Sequence, residues 1–286
     1  MGRWRVWVGF AVLCGLASSE WIYGPVALVD RGSLFLVGGL IGLVWSGWWR
    51  GWGRAEVVLG VVGMGLVGVP WLVLEWAGRY LSGATVTAGM ALVPVAVGLV
   101  EVAREGGGGV GDGLVPGLMG VGGLLLVVSV AMPGSWMGWW GMVGLLVVVV
   151  LMAVLGVVIH GLLRRVPVGR AMAVVLLPTG VLFRVVAMVM GGGEGTGGWW
   201  SAPVLVPVLV QLAELPLLLW LLREVRPVRL AGRFLVVPLL VLVEGYVLVR
   251  PGLTVRSGVG LGLLAVGSGW LLWLPNREAE AGLSLR

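Results

Sequence analysis

Long, continuously apolar stretches recur along this sequence, separated by short gaps rich in glycine, proline and arginine. A helix needs about 20 apolar residues to cross the roughly 30 Å hydrocarbon core of a membrane. Of the 286 residues, 59% are hydrophobic and only 11% are charged, which excludes an ordinary water-soluble domain. The runs are apolar throughout rather than at alternate positions, so a transmembrane β-barrel is excluded as well. The sequence therefore predicts an all-α polytopic membrane protein.

Cutting the sequence at its charges and its glycine and proline clusters predicts about ten transmembrane helices. Those of the first half are Trp4–Ser19, Ser33–Trp49, Ala55–Trp76, Ala84–Ala103 and Gly113–Met132. Those of the second half are Gly138–Leu163, Val168–Met190, Trp199–Leu222, Val228–Val249 and Leu253–Leu274. The stretch up to Ser19 also looks like a secretion signal. We expect an uncleaved first helix instead, because the internal repeat described below needs it.

The basic residues, 19 in all, are arginines, and most fall in gaps on the same side as the N-terminus. The opposite side is predicted to hold only Arg31, Arg79, Arg250 and Arg256. The positive-inside rule then predicts a multi-pass protein of the cytoplasmic (inner) membrane with both termini in the cytoplasm. In this setting the arginines are topology signals, and we expect no binding of nucleic acid.

The chain aligns with itself. Residues Gly78 to Pro94 lie on Leu222 to Pro238 without a gap, so a short polar loop leads into a proline-bearing helix in both halves. Five spans in each half make the second half inverted relative to the first. We therefore predict inverted five-helix repeats at residues 1–132 and 138–274 and a cytoplasmic tail at residues 275–286. Inverted repeats are typical of secondary transporters.

The stretch from Trp76 to Glu101, WAGRYLSGATVTAGMALVPVAVGLVE, resembles part of the EamA domain of the drug/metabolite transporter superfamily. Leu222 to Trp273, LREVRPVRLAGRFLVVPLLVLVEGYVLVRPGLTVRSGVGLGLLAVGSGWLLW, is similar to the same domain. The central prolines Pro94 and Pro238 and a final helix rich in small residues, Gly258 to Gly267, carry the resemblance. The chain departs from the family where a glycine-rich loop follows Glu101 and where the second half has Leu248-Val249-Arg250.

This resemblance implies a fold and a way of working. The fold would be two five-helix domains around a central cavity, with the fifth and tenth helices at the periphery. The two domains would move against one another in alternating access, with Pro94 and Pro238 as the pivots.

Charged side chains inside hydrocarbon are costly, so each is a candidate functional residue. Glu214 lies well inside the eighth predicted span, and Gln211 lies one turn earlier on the same face. Pro207 and Pro216 leave backbone carbonyls nearby without their usual helical donors. Together these groups predict a substrate-binding site for a cation, an amine or a proton. The alternatives are a protonated Glu214 or a structural ion pair with an arginine.

Arg184 and Glu244 have matched predicted depths, which favours a gating ion pair, although Arg184 could instead extend to the interface. His160, the only histidine, is a candidate proton relay or simply an interfacial residue. Glu20 and Glu75 fall at outer span ends, where they either line a vestibule or stay solvated. We expect Cys14 to be a core residue.

The predicted fifth and tenth helices contain glycines that allow helix backbones to approach closely. They are Gly117, Gly120, Gly122 and Gly123 in the first half and Gly258, Gly260, Gly262 and Gly267 in the second. We expect packing inside the bundle, with a homodimer through these helices as the alternative.

The sequence contains no zinc-protease, nucleotide-binding or serine-hydrolase motif, so we predict neither an enzyme nor a bound metal or cofactor. The predicted function is gradient-driven or facilitated transport, with export the expected direction, of a small metabolite such as an amino acid or amine. The first alternative is a flippase for a lipid-linked or amphipathic substrate on the same fold. The second is a membrane scaffold or intramembrane enzyme without transport. The expected partners are the small-molecule substrate and the lipid bilayer.

Overall fold

The computed structural model describes residues 3–23, 27–47, 53–105, 110–164, 166–190, 202–249 and 254–273. These residues form twelve α-helices and contain no β-strand. The helices are α1 (Arg3–Tyr23), α2 (Leu28–Ser46), α3 (Arg54–Ala77), α4 (Gly83–Met90), α5 (Val93–Glu105), α6 (Val110–Val127), α7 (Trp136–Leu163), α8 (Val168–Val189), α9 (Ala202–Glu224), α10 (Pro227–Ala231), α11 (Arg233–Val249) and α12 (Val255–Trp273). The predicted tail at 275–286 lies outside the described residues.

Seven segments of the described chain are long and apolar enough to cross a membrane. They are Leu28–Ser46, Arg54–Ala77, Gly83–Arg104, Trp136–Leu163, Val168–Val189, Pro227–Val249 and Val255–Trp273. The surface of the bundle is apolar too: α7 alone exposes Val143, Val147, Val150, Val154 and Val158 at helical spacing. Such a stripe suits contact with lipid rather than with water. The predicted all-α polytopic membrane class is confirmed in this coarse form.

Two of the spanning segments are interrupted helices. Gly83–Arg104 contains α4 and α5, which are separated by a turn at Ala91 and Leu92. Pro94 explains this break, because it has no N–H to donate to the carbonyl of Met90 and its ring crowds that carbonyl. Pro227–Val249 contains α10 and α11, which are separated at Gly232.

The helices pack in a pattern of related pairs. α2 packs along α8, and α6 packs along α12. α7 contacts both α3 and α5. In the same way, α1 contacts both α9 and α11. The largest buried cluster is apolar and includes side chains such as Leu13, Leu59, Phe183 and Leu221.

Glycine allows the close approach of α6 and α12. A Cβ atom on Gly123 would lie 2.5 Å from the backbone nitrogen of Leu264, and one on Gly267 would lie 2.5 Å from that of Gly120. These glycines therefore serve packing inside the bundle. A Cβ on Gly122 or Gly262 would meet nothing within 4 Å. The homodimer stays a prediction for that outward face.

Candidate functional site

A cavity of about 360 Å³ lies inside the bundle. Its described walls come from α1 to α5, α7 and α9 to α11. Most of the lining is apolar and includes Phe35, Leu66, Trp71, Met90 and Met152. The polar and charged side chains on the same walls are Glu20, Arg31, Thr87, Gln211, Glu214 and Arg233. An apolar pocket with a few convergent polar groups is the usual form of a small-molecule site.

Both residues predicted to bind substrate lie on this cavity. Gln211 is 7% exposed, and its Nε2 donates a hydrogen bond of 2.9 Å to Oε1 of Glu20. The other amide atom of Gln211, Oε1, is buried and has no hydrogen-bonding partner within the described part of the chain. Glu20, for which the sequence left open a vestibule or a solvated helix end, lines the cavity and accepts this bond from α9.

Glu214 lies among charges of both signs. Arg233 and Arg31 attract its carboxylate, while Glu20 repels it. All four side chains line the cavity. Arg233 enters because α11 begins immediately after the break at Gly232, well inside the second interrupted span. The predicted span Val228–Val249 contains this arginine, but its place on the cavity wall was not predicted from the sequence.

Arg31 is the functional candidate that the sequence interpretation missed. It was expected in a loop as a topology signal, but it is only 5% exposed. The cause is local: α2 begins at Leu28, more than one turn before the predicted start at Ser33, so Arg31 is already helical. Its guanidinium carbon lies 3.4 Å from the centroid of the Trp71 ring, and its buried Nε has no hydrogen-bonding partner among the described residues.

The side chains predicted to form a gating ion pair each contact a serine. Arg184 donates a 2.7 Å hydrogen bond from Nη1 to Oγ of Ser33, which joins α8 to α2. Ser18 donates a 2.8 Å hydrogen bond to Oε1 of Glu244, which joins α1 to α11. The structure therefore gives Arg184 and Glu244 different partners on different helices, and a direct pair between them stays a prediction.

His160 is buried and caps a helix end. Its Nδ1 lies 2.7 Å from the carbonyl oxygen of Leu222, in the last turn of α9. The last four carbonyls of a helix lack intrahelical donors, so a donating Nδ1–H satisfies one of them. This contact supplies a structural reason for the only histidine of the chain, while its role as a proton relay stays a prediction.

The predicted pivots both lie in the two interrupted spans. Pro94 follows the break between α4 and α5, and Pro238 lies within α11, a few residues after the break at Gly232. Pro238 lines the cavity, and its missing N–H leaves the carbonyl of Phe234 without its usual helical donor.

An ion pair that the sequence did not predict lies next to residues that line the cavity. Arg226 Nη2 lies 3.0 Å from Oε2 of Glu101, and the backbone N–H of Val228 donates to Oε1 of the same carboxylate. Val97, one turn before Glu101, and Pro227, next to Arg226, line the cavity. The pair thus ties α5 to the α9–α10 turn at the edge of the site.

The described residues contain no group of three or more histidine, cysteine, aspartate or glutamate side chains that could hold a metal ion.

No model of a known protein family matches the sequence, and no curated protein matches it. The fold, in contrast, is shared with a solved structure that is described only as "Crystal structure of protein". The two chains superpose with a TM-score of 0.70 at 15% sequence identity, over 96% of this chain and 99% of the other. At this identity the likeness establishes a shared fold over nearly the full length of both chains and assigns no activity.

Proposed function

We propose that this protein is a secondary transporter that moves a small metabolite, such as an amino acid or amine, across the inner membrane by alternating access. One observation carries the proposal: Glu20, Arg31, Glu214 and Arg233 line a single, mostly apolar cavity within a bundle of membrane-spanning helices. Charges at such positions are costly and mark substrate or ion pathways. In this reading Glu214 contacts the cation or coupling proton, and Gln211 orients the substrate.

The packing pattern supports inverted repeats at residues 1–132 and 138–274. A twofold axis that exchanges the halves would exchange the α3–α7 contact with the α1–α9 contact and the α5–α7 contact with the α11–α1 contact. The α2–α8 and α6–α12 pairs would lie across the axis. Counting α4–α5 and α10–α11 as one span each gives about ten spans, the number expected for two such repeats.

The same features fit the resemblance to the EamA domain of the drug/metabolite transporter superfamily. α6 and α12, the final helices of the two predicted repeats, pack against one another, and none of the described cavity residues belongs to either. This agrees with peripheral fifth and tenth helices. Both termini in the cytoplasm and export as the direction belong to the same proposal.

Alternating access needs closures that can open. The Glu101–Arg226 pair supplies one at the end of the bundle where α9 ends and α10 begins. The helix interruptions near Pro94 and Gly232 supply points at which the two proline-bearing spans can bend without breaking further backbone hydrogen bonds.

Flux in proteoliposomes tests the proposal. The purified protein is reconstituted, a proton or sodium gradient is imposed, and the uptake of labelled amino acids and amines is compared with that of protein-free vesicles. We expect gradient-dependent accumulation by the wild type and its loss in Glu214→Gln. Glu56→Gln is the matched control. Glu56 pairs with Arg170 at a distance of 3.2 Å, and neither residue lines the cavity. Wild-type flux in Glu214→Gln would remove this residue from the mechanism, and flux equal to that of empty vesicles for all compounds would overturn transport.

The mostly apolar lining favours one second candidate, a flippase for a lipid-linked or amphipathic substrate. Thermal stability of the purified protein separates the two. Stabilisation by lipids but by none of the polar compounds would favour the flippase and make Glu214 a structural residue.

A further inference from the structure

We propose that the cavity is built for a zwitterion with an apolar body: a carboxylate held by Arg31 and a protonated amine held by Gln211 and Glu214. This inference rests on the proposed function only in treating the bound molecule as cargo. It narrows the choice between amino acids and amines to compounds that have both charges.

Arg31 supplies the carboxylate subsite. The guanidinium lies 3.4 Å from the centroid of the Trp71 ring, so the aromatic ring occupies one face of the planar group. The N–H donors of a guanidinium lie in its plane and match a carboxylate in bidentate fashion. The Nε atom is buried, and no described residue accepts from it. A buried donor without a partner costs about 1–3 kcal/mol, and an acceptor on a ligand would remove that cost.

Gln211 supplies a complementary acceptor. Its Nε2 is already used by Glu20, which fixes the amide, and its Oε1 is buried without a donor within the described ranges. A protonated amine has three donors, enough to reach Oε1 of Gln211 and a carboxylate together. Glu214, one turn later on α9, lines the same cavity and supplies that carboxylate.

The balance of charge favours a ligand without net charge. Two glutamates, Glu20 and Glu214, and two arginines, Arg31 and Arg233, line the cavity, so their formal charges cancel. A simple amine or a simple carboxylate would add one uncompensated charge within the membrane, which is costly. A zwitterion adds charges of both signs and can place each beside its opposite.

The remaining lining predicts the rest of the molecule. A volume of about 360 Å³ is near the lower end of the roughly 300–1,000 Å³ found for ligand pockets. The walls around the charged groups include Phe35, Leu66, Leu74, Met90 and Val97. A compact zwitterion with a large apolar side chain therefore fits both the size and the surface.

Binding to the purified protein in lipid nanodiscs tests the proposal without requiring transport. The probes are L-phenylalanine and L-leucine, with 2-phenylethylamine (no carboxylate) and 3-phenylpropionate (no amine) as matched compounds. We expect an amino acid to raise the midpoint of thermal unfolding and to show saturable heat of binding. Each matched compound should bind at least about tenfold more weakly than L-phenylalanine, the effect of losing one charged contact. Equal binding of 2-phenylethylamine and L-phenylalanine, or binding of neither amino acid, would overturn the proposal.

Variants assign the carboxylate to Arg31. Arg31→Lys keeps the charge but loses the planar guanidinium. We expect it to lower the affinity for L-phenylalanine at least about tenfold and to change the affinity for 2-phenylethylamine little. Arg170→Lys is the control, since Arg170 pairs with Glu56 outside the cavity. If Arg31→Lys does not fold, Gln211→Met gives the second test, with weakened binding of both amine-bearing probes expected. Wild-type affinity in either folded variant would overturn the assigned contact.

The outcomes also separate this inference from the proposed function. Saturable binding of a zwitterion, together with flux no greater than that of empty vesicles, would support the ligand class and overturn transport. Flux of an amine, without binding of any zwitterion, would support transport and overturn the ligand class.

Discussion

Gln211 donates a 2.9 Å hydrogen bond from Nε2 to Oε1 of Glu20, and this bond joins the middle of α9 to the last turn of α1. The two helices belong to different predicted repeats. The bond therefore crosses the interface at which the proposed transporter would have to move, and it does so on the wall of the cavity. The bond uses one of the two N–H donors of Gln211, and the unpartnered Oε1 is the acceptor atom of the amide that remains for a ligand.

We predict that Gln211→Leu lowers the free energy of unfolding by about 1 kcal/mol, because interhelical hydrogen bonds in membranes average near 0.6 and reach about 1.7 kcal/mol. Glu20→Gln should cost less, since an amide oxygen can still accept from Gln211. Unfolding of the purified protein by SDS in mixed micelles, followed by tryptophan fluorescence, measures both. A larger loss for Glu20→Gln than for Gln211→Leu would contradict this account of the bond.

The helical membrane class could be predicted from the sequence, because hydrophobicity over some 20 residues is a strong signal. The predicted span Val168–Met190, for example, differs from α8 only at its last residue. The site was harder to predict. Glu214 and Gln211 interrupt an apolar run and could be recognised, whereas Arg31 lies where the run ends. Nothing in the residues before Ser33 indicated that α2 starts more than one turn earlier.

The ion pair between two distant segments, Glu101 and Arg226, could not be predicted from the sequence either. Arg226 and Glu101 lie in gaps or at span ends, where arginines and glutamates are expected to be solvated. Their contact depends on how α5 packs against α10, and apolar side chains form that packing. Because apolar residues are found along the whole sequence, they do not indicate which helices pack together.

We predict that breaking the Glu101–Arg226 pair opens one end of the cavity. The chain has a single cysteine, Cys14, which is 1% exposed, so Cys14→Ala gives a cysteine-free background. In that background Val97→Cys places a thiol on the cavity wall. Adding Arg226→Gln should raise its rate of modification by a membrane-impermeant maleimide, because the carboxylate of Glu101 loses the cation that ties α5 to the turn before α10.

Arg170→Gln in the same Val97→Cys background is the matched control. It breaks the Arg170–Glu56 pair at 3.2 Å, which joins α8 to α3 and does not line the cavity. The thiol of this control should be modified at the same rate as that of the Val97→Cys protein in which both ion pairs are intact. Equal acceleration by both substitutions would indicate general loosening of the bundle rather than a local closure.

The crossing of α6 and α12 predicts opposite effects at two adjacent glycines. A Cβ on Gly123 would lie 2.5 Å from the nitrogen of Leu264 and 2.6 Å from the carbonyl oxygen of Gly260. Since both are backbone atoms, the helices must separate, and we expect Gly123→Ala to destabilise the protein by about 1–3 kcal/mol. Gly122→Ala meets nothing within 4 Å and should be neutral or stabilising by up to about 1 kcal/mol.

Thermal unfolding of the two variants decides this point, and their size-exclusion profiles test the homodimer as well. A destabilised Gly122→Ala with a shift from dimer to monomer would mean that the outward face of α6 is covered by a second copy. Equal stability of both variants would contradict the close crossing of α6 and α12.

Arg184 and Glu244 should behave as independent residues. Each contacts a different serine, Ser33 for Arg184 and Ser18 for Glu244. Residues that are held by different contacts usually contribute nearly additively to stability, within about 0.5 kcal/mol. A double-mutant cycle of Arg184→Met and Glu244→Gln, measured as free energies of unfolding, should therefore give a coupling below that limit.

Arg226→Met with Glu101→Gln provides the positive control, because these two side chains are 3.0 Å apart and should be measurably coupled. A coupling between Arg184 and Glu244 as large as that of the control would establish the direct ion pair that their matched depth in the sequence predicts, and Ser33 and Ser18 would then be partners of only one conformation.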